Sequence, residues 1–293
     1  MAVEQAIFVE TAAPLPPGFW HRALRHKSFM IGGLLTVVLV SMAAVSLIWT
    51  PHSETAINVK AKLKVPGFEH ILGTDFLGRD IFSMIMVGAQ NSIMVGVIAV
   101  SIGIFGGLIV GLSASAKRGW VEELLMRLTD LTFGIPAILI AILITAGWGP
   151  GITNSILAIG IYNIALFSRV SRGAANAIWA REFVLAARAA GKGKLRISIE
   201  HILPNILSVI VVQATIQFAI AILAEAALSY LGLGTQPPTP SWGKMLSDNQ
   251  TFALLYPRLA IFPGLAIMAA VLGLNMLGDG LRDLLDPRLA RKR

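Results

Sequence analysis

The chain has no cysteine among its 293 residues, which excludes disulfides, thiolate metal sites and cysteine nucleophiles. Charge is scarce as well. Only 14% of residues are Asp, Glu, Lys or Arg, against 55% hydrophobic, too little polar surface to cover a soluble globule of this length. Signatures of catalysis are also missing. The five histidines, His21, His26, His52, His70 and His201, form no HExxH or similar metal-binding spacing. There is no G-x-S-x-G nucleophile elbow. The run at 191–194 fails the GxxxxGK[ST] phosphate-loop pattern, because Arg188 and Leu195 stand where Gly and Ser/Thr are required. No catalytic residue, no metal site and no ATP site is expected in the chain itself.

What the chain does have is long apolar runs. Phe29 to Trp49 holds no charge, and at 1.5 Å per residue such a stretch reaches roughly 31 Å, the thickness of a hydrocarbon core. Five more candidate spans follow, near Gly88–Ser115, Leu131–Gly147, Ile152–Ser168, Asn205–Ala224 and Leu259–Gly278. The fold class is therefore an all-α polytopic membrane protein with six transmembrane helices. Residues 1–28 read as an N-terminal tail, 29–280 as the six-helix domain with a long loop at 169–204, and 281–293 as a C-terminal tail. Lys and Arg crowd both tails and the loops 116–130 and 169–204, while the other loops hold only Lys60, Lys62, Lys64, Arg79, Lys244 and Arg258. This asymmetry puts both termini and the 169–204 loop in the cytoplasm. It also explains the net charge of +8 without invoking nucleic acid, for which no aromatic-interleaved basic motif is present.

No ionisable residue lies inside the six assigned spans, and Glu225 stands just beyond the outer end of the fifth. A proton-relay transporter usually needs such groups. Uncharged polar residues remain. Gln213 and Gln217 share a face of the fifth span at i, i+4, and Asn154, Tyr162 and Asn163 lie in the fourth. These residues suit a polar pathway or hydrogen bonding between helices, and the sequence leaves both open. Gly103, Gly107 and Gly111 align on one face of the second span as a packing surface, and Pro136 should bend or interrupt the third. On the outer side, LGTDFLGRD (72–80) reads as a self-stapled loop, and Trp242, after the proline run of 235–240, suits the membrane interface.

The most informative segment is REFVLAARAAGKGKLRISIEHILP, residues 181–204. Its first ten residues are good helix formers, Gly191 is a natural C-terminal stop and Pro204 suits the opening of the next helix. The face Phe183, Ala186, Ala187, Ala190 sets one aromatic knob among small side chains, a shape fit for a groove.

Taken together with 72–80, 225–246 and 263–288, this segment resembles the inner-membrane permease subunits of bacterial dipeptide and oligopeptide ABC importers, over residues 20–290. The 169–204 loop looks like that family's EAA loop, matched at Ala186, Ala187, Gly191, Leu203 and Pro204. Leu185 stands at the pattern's Glu, with Glu182 one turn earlier, and His201 replaces an Ile. The resemblance implies a type I ABC importer transmembrane domain in the bacterial inner membrane. It implies pairing with a homologous permease, two cytoplasmic ATPases and an extracytoplasmic solute-binding protein, with ATP bound by the partner subunits and no cofactor here. It also implies an ATPase-coupling set of Glu182, Phe183, Ala186, Ala187, Arg188, Gly191, Leu203 and Pro204. Gln213, Gln217 and Asn163 are the candidate pathway residues. Peptides are the expected cargo, with nickel or another small solute as the alternative, and an ATP-independent secondary transporter as a more distant one. Ala187→Asp or Gly191→Asp is expected to abolish transport by spoiling the docked face.

Overall fold

The computed structural model describes residues 18–285, and among these every regular element is helical apart from one isolated backbone bridge between Thr74 and Asp80. Helices α1 (Phe19–Arg25) and α2 (Lys27–Ser46) precede a long loop. Then come α3 (Ile81–Lys117), α4 (Trp120–Gly134), α5 (Ala137–Trp148) and α6 (Ile152–Trp179). The short α7 (Glu182–Ala189) and α8 (Lys194–Ile197) lead into α9 (Leu203–Tyr230), α10 (Trp242–Asp248) and α11 (Arg258–Leu285).

Among the described residues, four stretches are long and apolar enough to cross a bilayer: α2, α3, α11 and the continuous run Lys194–Tyr230. The pair α4 and α5 makes a fifth if its halves are one span, bent by 86° at their break. Pro136 causes that break. Its ring pushes Ile135 out of the helical region, to φ −102° and ψ 120°. The sixth expected span lies in α6, whose 28 residues are long enough but whose apolarity is diluted by Asn154, Asn163, Arg169 and Arg172.

Several boundaries differ from the sequence reading. The expected N-terminal tail contains α1, whose Ala23 is fully buried against the bundle. The basic loop expected at 116–130 is largely α4, tied to α6 by Arg172 donating to Glu122 at 2.6 Å and by the Arg169–Asp130 ion pair. At the C-terminus α11 continues past residue 280 to Leu285. Residues 1–17 and 286–293, which include the rest of both expected tails and Pro287, lie outside the described residues.

Helix α3 is the central element. It starts at Ile81, well before the apolar stretch, because Asp80 caps it by accepting from Ser83 N at 2.8 Å. Gly103, Gly107 and Gly111 form the expected packing surface. A methyl group on any of them would overlap Asn163, Phe167 or Ser171 of α6, so these two helices touch backbone to backbone. Two apolar cores flank α3. One gathers Val95, Ala99, Phe167, Trp179, Val184, Ile202 and Ile206 toward the α7 end. The other gathers Ile81, Met84, Ile222, Trp242, Met245 and Leu259 toward the opposite end.

Candidate functional site

The segment between α6 and α9 is built from local rules. Helix α7 ends in a Schellman turn: Lys192 N donates to Ala187 O at 3.1 Å and Gly191 N to Arg188 O at 2.9 Å. That geometry needs a left-handed residue at 191, and Gly191 supplies it with φ +80°. Beyond α8 the helix widens into one π turn, Ser198–Ile202, immediately before Pro204. A proline there lacks its N–H and crowds the carbonyl of residue 200, and the wider turn absorbs both effects without stopping the helix. In this loop Lys192 and Arg196 each bond the Glu200 carboxylate at 2.6 Å.

Helix α7 is seated, not free. Val184 is fully buried and Ala187 only 8% exposed, and both belong to the core that includes Trp179, Ile197, Ile202 and Ile206. The Arg188 guanidinium lies 5.3 Å from the centre of the Trp179 ring, a cation–π contact. Trp179 Nε1 in turn donates to Ser115 Oγ of α3 at 3.2 Å. The seat of α7 therefore rests on the ends of both α3 and α6. The burial rotates the face assigned from sequence. Ala187 points into the chain's own core, and the outward side carries Glu182, Leu185, Ala186 and Ala189, flanked by Phe183 and Ala190. Phe183 is 45% exposed and stands edge-on to His201, with ring centroids 6.3 Å apart. Gly191 and Pro204 are exposed, while Leu203 is half-buried at the start of α9.

The candidate pathway residues separate. Gln213 lines a cavity of about 480 Å³ between α9 and the end of α11, together with Ser208, Val212 and Arg282. Asn163 and Gln217 do not join it. Both are buried inside the subunit, and Asn163 lies beneath Gly103 in the α3–α6 interface.

Two residues at the far end were placed differently by the sequence. Trp242 is not at a membrane interface: it is fully buried, wedged against Gly88, and donates to Ile85 O at 3.0 Å. Glu225, read as standing just beyond the outer end of the fifth span, lies within α9, which continues to Tyr230. Its fully buried carboxylate accepts from Ser229 Oγ at 2.7 Å, Thr235 Oγ1 at 3.3 Å and Ser92 Oγ at 3.3 Å. It joins α9, α3 and the 231–241 strap. The loop at 72–80 is self-stapled as expected, with the buried Asp75 held at 2.7 Å by Arg79 and Gly78 turning at φ +80°. A methyl group on Gly78 would strike the Asn58 carbonyl.

Comparison with known proteins agrees with this architecture. Residues 103–291 match the family of binding-protein-dependent transport system inner membrane components. The dipeptide transport system permease protein DppC of Alkalihalophilus pseudofirmus is 43% identical over 276 residues, covering 92% of this chain and 90% of the relative. The glutathione transport system permease protein GsiD of Shigella flexneri is 41% identical over 272 residues, with the same coverage. Among solved structures, the inward-facing MetNI methionine ABC transporter superposes with a TM-score of 0.58 at 16% identity, covering 69% of this chain and 97% of that one. At that identity the likeness speaks for the fold, a type I importer membrane domain. A buried carboxylate such as Glu225 would suit a proton-driven carrier, but the match over nine-tenths of two transport permeases decides the question. The chain belongs to the binding-protein-dependent transport system inner membrane components, as a permease subunit and not an enzyme.

Proposed function

We propose that the chain is the permease subunit of an ATP-driven ABC importer that carries di- or oligopeptides across the inner membrane. Its likeness along almost its whole length to permeases named for a dipeptide and for glutathione, itself a small peptide, supports this cargo. In this reading α7 is the coupling helix and faces the cytoplasm together with both termini, in accord with the Lys and Arg distribution. Its outward side, Glu182, Leu185, Ala186 and Ala189 with Phe183 beside it, seats in a groove of an ATPase subunit. Gly191, Leu203 and Pro204 shape the return of the chain. A homologous permease completes the pathway, two ATPases power it and an extracytoplasmic binding protein delivers the cargo. Gln213 is the pathway residue retained, because it lines a cavity.

The observation that carries the mechanism is the seat of α7 on Trp179, and through it on Ser115 of α3. When the ATPases close, a docked α7 moves the ends of α3 and α6 with it, and the permeases rock as bodies. The test is uptake into proteoliposomes holding this chain with its partner permease, ATPases and binding protein. Accumulation of a labelled dipeptide that requires ATP supports the reading. Accumulation of only a nickel chelate would keep the mechanism and replace the cargo, and uptake that follows a proton gradient without ATP would overturn the mechanism.

A further inference from the structure

We propose that His52, His70 and Asp80 form a binding site for a divalent transition-metal cation, with zinc the best fit, at the end of the bundle opposite α7. The three residues come from separate turns of the loop that ends at the α3 cap, and the fold brings their ligand atoms within 4.8 Å of one another. Each backbone is positioned independently of the proposed ligand atoms. His52 N donates to Ser83 Oγ at 3.1 Å, and the His70 carbonyl accepts from Gly67 N and Gly73 N, both at 2.9 Å. Asp80 commits only one oxygen to its capping role: Oδ2 accepts from Ser83 N and Ser83 Oγ, both at 2.8 Å. Oδ1 faces the two imidazoles, with His70 Nδ1 at 2.9 Å and His52 Nδ1 at 3.7 Å.

The second of these contacts is the telling one. His52 Nδ1 is shielded from solvent, has no hydrogen-bond partner among the described residues and aims at an oxygen just out of its reach. Tetrahedral zinc with bonds near 2.0–2.2 Å holds its ligands about 3.3 Å apart, and 2.9 and 3.7 Å lie on either side of that spacing. Two imidazole nitrogens and one carboxylate suit zinc and exclude a preference for calcium or magnesium, which favour all-oxygen shells. The side chains of His70 and Asp80 are 9% and 2% exposed, whereas that of His52 is 40% exposed. The His52 ring is thus partly exposed while its Nδ1 faces inward, so the ligand atoms sit behind the ring and not at the open surface. Ser83 holds the carboxylate as a supporting shell does. A bound ion would join the 47–57 segment and the 66–72 turn to the head of α3.

The test uses the full untagged chain in lipid nanodiscs, stripped with a chelator and titrated with zinc chloride alone. One zinc per chain is expected, with affinity at least tenfold weaker in His52→Ala and in His70→Ala, and with no competition from magnesium. His52→Ala is the decisive variant, because among the described residues its side chain makes no hydrogen bond, and although it loses the ring contact with His70 at 4.5 Å, the zinc effect is read against its own zinc-free melting temperature. Zinc should raise the melting temperature of the wild type and not of this variant. Absence of zinc binding at micromolar concentration overturns the proposal. So does equal binding by wild type and His52→Ala, or a melting temperature that responds to pH but not to zinc.

Discussion

Replacing Val184 by Ala tests whether α7 acts as a rigid handle. Val184 is fully buried and shares the seat of α7 with Ala187. Removing two buried carbons at about 0.8 kcal/mol each forfeits about 1.6 kcal/mol. The cavity left behind raises the cost to about 2–3 kcal/mol. An eight-residue helix with two buried side chains has little stability of its own to set against this. At 1.4 kcal/mol per tenfold, the ratio of seated to unseated α7 falls by roughly 30- to 140-fold. The complex should still assemble and hydrolyse ATP, but the peptide transported per ATP should drop severalfold in proteoliposomes. The control is Leu185→Ala on the outward side, where the side chain is 53% exposed. That change should weaken ATPase binding and leave the ratio of peptide to ATP intact in whatever complex forms. Wild-type stoichiometry in Val184→Ala, at equal amounts of assembled complex, would refute the idea that coupling runs through the seat.

Three further outcomes follow from the packing. Gly107→Ala should destabilise the bundle by about 1–3 kcal/mol through overpacking against Phe167, seen as a lower melting temperature in detergent. Gly33→Ala, where a methyl meets nothing within 4 Å, should leave it unchanged, and equal effects would discount the helix contact. Asp75→Ala leaves Arg79 buried with only Asp248 nearby at 3.7 Å. The expected loss is about 3–5 kcal/mol, partly recovered in Asp75→Ala/Arg79→Leu, and a single variant that melts like the wild type would exclude a buried pair. Trp242→Ala should cost about 3–5 kcal/mol and increase protease cleavage within the 231–241 strap; unchanged cleavage would show that the indole does not hold the strap.

Much of the α7 loop was legible because its determinants are local. The Ala-rich run, Gly191 at the left-handed position and Pro204 at a helix opening each act within a few residues. Which side of α7 faces outward was not legible, since contacts with Ile197, Ile202 and Trp179 settle it, and an Ala-rich helix presents similar small side chains all round. Ala187→Asp should accordingly unseat α7, not merely spoil a docked face. Trp242 and Glu225 were misplaced for a related reason. Hydropathy says that an indole tolerates an interface and that a carboxylate ends an apolar run, but it is blind to the notch at Gly88 and to three hydroxyls gathered from α3, α9 and the strap. His52, His70 and Asp80 carry no local spacing signal at all.

The run Lys194–Tyr230 has a mechanical meaning. At 1.5 Å per residue its 37 residues form a rod about 55 Å long, with one end beneath α7 and the other carrying Glu225 and the strap. Phe218 bears on Gly96 of α3, a natural fulcrum. Tilting such a rod by about 10° about Phe218, which stands nearer the strap, displaces the α7 end by roughly 6 Å and the strap end by roughly 3 Å in opposite directions. The π turn near one end absorbs the proline without cutting the rod, so a push at the coupling helix is delivered, reversed in sense, to the opposite mouth of the permease.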